Sequence, residues 1–149
     1  MLVKSFSLFR SIGFRKPRSF LSMMSTPSPL LDQVPDVEID PEGRFKYVLI
    51  RVYAPTTRDG NEPSKMVVRG NARGAYHADI YDETMQTLVK LNLDSECVGG
   101  GRIEHHPAQK IIKIYGYSQG FGKADHEISS ELVKKAFPDY NVTWSDEGY

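Results

Sequence analysis

The stretch "FKYVLIRVY", residues 45–53, gathers β-branched and aromatic side chains into an unbroken run, which is the pattern of a strand. A Pro-Glu-Gly turn at residues 41–43 leads into it, and "APTTRDGNEPS", with Asp59-Gly60 as its turn, leads away. Side chains alternate along an extended run, so Lys46 shares a face with Val48, Ile50 and Val52. Outward from this strand, "KMVVR" at residues 65–69 reads as a second, shorter one. From Tyr76 to Leu91, the residues Ile80, Tyr81, Met85, Leu88 and Val89 recur at helical spacing, which puts His77 in the first turn of a helix. "CVGGGRIEHH" then reads as a glycine-rich approach to a short strand, "PAQK" as a turn, "IIKIYGY" as a strand and "SQGFGKAD" as a glycine-rich loop. In "HEISSELVKKAF", Ile128, Leu132, Val133, Ala136 and Phe137 fall on one helical face, and "YNVTW" is a closing strand. This order predicts an α/β domain of the α+β type, with one mixed or antiparallel sheet flanked by two helices.

The chain's 149 residues, 40% of them hydrophobic, suffice for one ordinary core and not for two, so a single small soluble domain is expected. No run of residues approaches the roughly 18 apolar positions of a membrane span. Cys97 is the only cysteine, so no intramolecular disulfide can form, and a reducing compartment is compatible with the chain. The formal net charge is zero, yet five of the 19 basic residues precede Ser25 with no acid among them. The other 14 face 19 acids, a balance of −5 that argues against nucleic acid as the main partner. The opening "MLVKSFSLFRSIGFRKPRSFLSMM" has the composition of a mitochondrial transit peptide. It also fits an upstream start codon that adds a tail, with Met23 or Met24 as the working initiator. Residues 1–33 are therefore read as a basic extension and a Pro/Ser linker, and residues 34–149 as the domain. The expected location is cytoplasmic, or mitochondrial if the extension is a transit peptide.

Three polar residues sit at the ends of apolar strand faces: Lys46, Arg69, which has the parity of Val67, and Ser118, which has the parity of Ile112 and Ile114. A buried cation needs a partner, and an anionic ligand is one candidate; the alternative is that these strand ends emerge into water. Gly116, Gly120 and Gly122 bracket Ser118, so the loop can turn its amides inward as an anion nest or serve as an ordinary turn. Four residues separate Cys97 from Arg102, one short of a cysteine-phosphatase loop, so Cys97 reads as structural. His105, His106, His126 and Cys97 lack zinc-site spacings, and no metal is expected. His126 reads as a capping or packing residue. No Gly-x-Ser-x-Gly elbow is present. His77 is left as the candidate acid or base, against the alternative of a packed, hydrogen-bonded histidine. A helix N-terminus would favour both an approaching phosphoryl group and the neutral imidazole that a base requires.

The segments "VPDVEIDPEGRFKYVLIRV", "VVRG", "YHADIYD", "GGGRI", "YGYS", "HEIS" and "FPDYNVTWSDEGY" together resemble the phosphohistidine phosphatases, the family that also includes the Janus proteins. The resemblance runs in order from about Val34 to Tyr149. It implies a small α/β domain acting without metal or cofactor, as a monomer, on phosphohistidine-containing proteins; the charge balance and the lack of a long apolar run add the expectation of no nucleic-acid or membrane partner. It implies that His77 is the catalytic base, that Lys46 contacts the substrate phosphate and that Ser118, Gln119 and Gly120 form the binding loop. Arg69, Arg102 and Ala78 would be supporting residues. The chain departs from the family pattern at Gly120, where better-known relatives carry alanine, at Gln119 and Phe121, and in "NARGAY", which replaces a more aromatic stretch. A non-catalytic phosphohistidine-binding module, and a phosphatase for phospholysine or small phosphoramidates, are the alternatives.

Overall fold

The computed structural model describes residues 28–147. The expectations for residues 1–27, transit peptide or tail, lie outside the described residues. A 3-10 turn at Leu31–Gln33 precedes β1 (Val37–Ile39), β2 (Gly43–Tyr53) and β3 (Ser64–Asn71). Helix α1 (His77–Lys90), β4 (Asp94–His106), β5 (Ile111–Tyr115), helix α2 (His126–Ala136) and β6 (Asn141–Trp144) follow. The strands form one mixed sheet in the order β1-β3-β2-β4-β5-β6, parallel at its two outer pairs and antiparallel between. The expected α+β class is the observed one. Among the described residues no helix is long and apolar enough to cross a membrane.

The alternation in β2 sorts the core into two layers. Val48, Ile50 and Val52 pack with Val67 against Ile80 and Leu88 of α1. Tyr47 and Leu49, with the opposite parity, pack with Val68, Ile103, Ile112 and Ile114 against Val133 of α2. A strand apolar on both faces has to lie at the centre of a covered sheet, and β2 does, between β3 and β4.

Four expectations change. β1 is an additional strand, three residues long and so without a periodicity to detect. The segment before Val34 packs onto the domain, because Leu31 is buried in the α1-side core. The glycine run in "CVGGGR" does not merely approach a strand, since β4 runs through all three glycines. Finally, Ile112 and Ile114 lie on the α2 side, whereas Lys46 heads the α1 side. Their parity does not carry to Ser118, because β5 ends at Tyr115 and the chain turns at Gly116 with φ 80°.

Candidate active site

The glycines of β4 let three elements converge. A Cβ on Gly99 would lie 2.6 Å from the Ala124 Cα, and one on Gly101 would lie 2.5 Å from the Tyr115 carbonyl oxygen and 2.7 Å from His126 Cε1. A Cβ on Gly100 would lie 2.7 Å from His77 Cδ2 and 3.0 Å from the Ser118 Cβ. Only a bare backbone admits the first turn of α1 and the loop after β5 to the same spot. That loop is then tied down: the Gly100 amide donates to the Gly122 carbonyl (3.0 Å), and the Ala124 amide donates to the Gly100 carbonyl (3.0 Å).

The result is a pocket of about 750 Å³ lined by Lys46, His77, Ala78, Ser118, Gln119 and Gly120, with Tyr76, Tyr117 and Phe121 beside them. Six residues expected from sequence are thus brought together from β2, α1 and one loop. His77 is buried, and its Nε2–H donates to the Gly101 carbonyl at 2.9 Å. This bond fixes the proton on Nε2 and leaves Nδ1 bare, with no partner among the described residues. Burial, followed by the positive charges of Lys46 and Arg102, holds the His77 pKa below its ordinary value, against the opposing effect of the Gly101 bond. The imidazole is therefore neutral at neutral pH. Asp79 accepts from the Tyr76 amide (2.9 Å) and secures the start of α1, where the His77 and Ala78 amides find no acceptor among the described residues.

Lys46 is half-buried, and its ammonium makes no ion pair or hydrogen bond among the described residues. Other cations buried in this sheet are paired: Lys65 with Asp36 at 2.8 Å and Arg69 with Glu38 at 3.1 Å. Arg102 lies opposite Lys46 on β4 and adds to the positive field at His77. Arg69 lies apart from this pocket. Its guanidinium holds Glu38 and the Pro35 and Val68 carbonyls, and it lines a separate cleft of about 440 Å³ with Asp40, Asn71 and Arg73. Its acid comes from β1, the strand whose brevity hid it. In that cleft Arg73 and Asn71 are also engaged, both by Glu83, so its charges are internally satisfied.

The loop donors also differ from a uniform nest. The Ser118 amide is taken up by the Gly122 carbonyl (3.1 Å), while its Oγ accepts from the Phe121 amide (3.0 Å) and keeps its own hydrogen to donate. The Gln119 and Gly120 amides have no acceptor among the described residues. Ser118 thus offers a hydroxyl, and the next two residues offer N–H groups.

The remaining histidines and Cys97 serve structure. His126 is buried, donates from Nε2 to the Gly116 carbonyl (2.8 Å) and meets the Tyr47 hydroxyl at Nδ1 (2.6 Å), which steadies the start of the loop. His105 bonds the Asp40 carbonyl and Tyr140, and burial pushes the Cys97 thiol up to about 11. No cluster of three or more potential ligands stands ready for a metal among the described residues. The aromatic side of the pocket was missed in sequence, because Tyr76 read there only as the start of a helix and Tyr117 as the end of a strand.

The Janus/Ocnus family model matches residues 31–141. The chain is 49% identical over 140 residues to sex-regulated protein janus-A of Drosophila pseudoobscura pseudoobscura, covering 91% of this chain and 94% of the relative. It is 53% identical over 122 residues to the 14 kDa phosphohistidine phosphatase of Sus scrofa (80% and 95%). It is 50% identical over 117 residues to the 14 kDa phosphohistidine phosphatase of Homo sapiens (78% and 94%).

Proposed function

The chain belongs to the Janus/Ocnus family, and from that premise we propose that it is a protein phosphohistidine phosphatase with His77 as its general base. The carrying observation is Lys46: a half-buried ammonium without a counter-charge among the described residues stands in the same pocket as a neutral histidine with a bare Nδ1. Such a cation suits a phosphoryl group. The relatives named as 14 kDa phosphohistidine phosphatases support the choice of substrate.

In the proposed reaction Lys46, the Ser118 hydroxyl and the Gln119 and Gly120 amides hold the phosphoryl oxygens, aided by the free amides at the start of α1. Arg102 supports them through its field. His77 Nδ1 takes a proton from water as the water oxygen bonds to phosphorus. The P–N bond breaks with its electron pair left on the substrate imidazole, whose other nitrogen carries a proton, so a neutral ring departs. His77 then returns its proton to solvent. Positioning and oxyanion stabilisation supply the rate, and the scheme calls for no metal.

Phosphate release from a phosphohistidine peptide in EDTA tests this. The chain from Ser25 onward should release phosphate, and a folded His77→Ala variant should lose roughly 10²- to 10⁴-fold in kcat. Tight binding of the peptide without release by the parent would leave a phosphohistidine-binding module. The bare Nδ1 also supports direct attack on phosphorus, which a phosphoryl label on His77 in quenched samples would reveal.

A further inference from the structure

The face of the sheet that carries Lys46 continues past the pocket. Cross-strand partners share a face, so the registers Lys46–Arg102–Tyr115 and Arg44–Glu104–Lys113 lay six residues of β2, β4 and β5 side by side. Helix α1 covers this face at Val48, Ile50 and Val52 and leaves the far end open, where Arg44 and Lys113 are exposed. Four of the six residues are cations, with Glu104 as the carboxylate among them. That single charge is shared. Glu104 accepts from the Tyr115 hydroxyl (2.6 Å), pairs with Arg44 at Nε (3.5 Å), meets His106 (3.3 Å) and lies in the field of Lys113. The chain after residue 24 has 14 basic against 19 acidic residues, so this basic strip runs against the balance of the domain that bears it.

With strands about 4.8 Å apart and about 3.4 Å per residue along each, the Lys113 backbone lies roughly 12 Å from that of Lys46. A strip of that length outreaches one phosphoryl group, so its far end is free to meet another part of the substrate. We propose that Arg44 and Lys113 bind carboxylates that flank the phosphohistidine in the substrate protein, so that the site favours phosphohistidine carried in acidic segments. The inference rests on the phosphatase reading and adds what the phosphoryl contacts cannot supply, since Lys46 and the loop amides read the phosphoryl group whatever chain carries it. An extended substrate chain advances about 3.4 Å per residue, so an Asp or Glu about two to four positions from the phosphohistidine reaches the strip. Attraction between exposed charges is screened by salt over about 10 Å at 0.1 M, and it acts on encounter and binding. Its effect therefore falls on KM more than on kcat.

The test compares two phosphohistidine peptides of one length, with glutamate or with glutamine at the flanking positions, and uses phosphoramidate, which has no flanks, as the reference. At low ionic strength the parent should turn over the glutamate peptide with a kcat/KM about fivefold above that of the glutamine peptide, chiefly through KM, and added salt should erase the difference. The Arg44→Gln/Lys113→Gln variant, altered only at exposed positions, should keep the parent's rates on phosphoramidate and on the glutamine peptide and lose the preference. The Arg44→Glu/Lys113→Glu variant should reverse it. A parent without the preference, or a glutamine variant that keeps it, overturns the assignment. Turnover of neither peptide nor phosphoramidate by the parent would overturn the phosphatase reading itself, and the inference with it.

Discussion

His77 keeps its neutral form because burial, Lys46 and Arg102 all disfavour the imidazolium, with the Gly101 carbonyl fixing the tautomer. A base with a lowered pKa is already deprotonated at neutrality, so the acid limb of kcat/KM should lie below about pH 6.5, with the plateau above it. Lys46→Met removes one of the charges that lower this pKa, so the limb should move to higher pH. It should also cost roughly 10- to 100-fold in kcat/KM, the size of a lost charge-assisted hydrogen bond. A pH profile of parent and variant checks both parts, and a limb that stays in place would show that Lys46 does not act on His77. Sequence placed these two residues because their types and local periods are local properties. It could not show the partner of Arg69, because Glu38 is its cross-strand neighbour in register and not its neighbour in sequence.

At the scale of the element, β4 is the part whose letters misled. A run of three glycines is weak strand material by propensity, yet β4 spans 13 residues, paired with β2 from Asp94 to His105 and with β5 from Arg102 to His106. Tertiary contact overrides propensity here: the glycines exist for what leans on them. Gly100→Ala should push His77 and Ser118 apart and lower kcat/KM by about 10²-fold, since ångström displacements at a site cost on that order. Its urea midpoint should fall by the equivalent of about 1–3 kcal/mol of overpacking. At Gly120 an added Cβ meets nothing within 4 Å, so Gly120→Ala should change stability by less than about 0.5 kcal/mol. Urea unfolding of the two variants side by side decides whether the β4 glycines are needed for contact or merely tolerated. The helices were legible because each shows its apolar stripe at a 3.6-residue period, and α2 adds Asp125 as an N-cap bonded to the Glu127 and Ile128 amides.

For the whole molecule, two buried histidines, His77 in the pocket and His126 at the start of α2, tie stability to pH. Burial is the leading cause that lowers both His77 and His126, and the carbonyls of Gly101 and Gly116 oppose it in part. The unfolded chain therefore binds protons more readily than the folded one. Their contribution is complete above the unfolded value near 6.5 and is lost as pH falls toward the folded values. The urea midpoint should accordingly drop between pH 7.5 and pH 5.5, and His77→Ala should drop by less. An equal drop in the variant would assign the effect elsewhere.

Sequence by itself determined the class of fold, the two helices and the central strand, since strand and helix periods are written in consecutive residues, while Lys46, His77 and the Ser118 loop were singled out by the family resemblance. Only the tertiary structure decided that Arg69 of β3 is held by Glu38 of β1, that the Ser118 amide is occupied while its hydroxyl hydrogen is left to donate, and that two tyrosines edge the pocket. Each of those depends on which backbone groups meet across the sheet and on how closely glycine lets them approach, and neither distance nor register is encoded in local pattern.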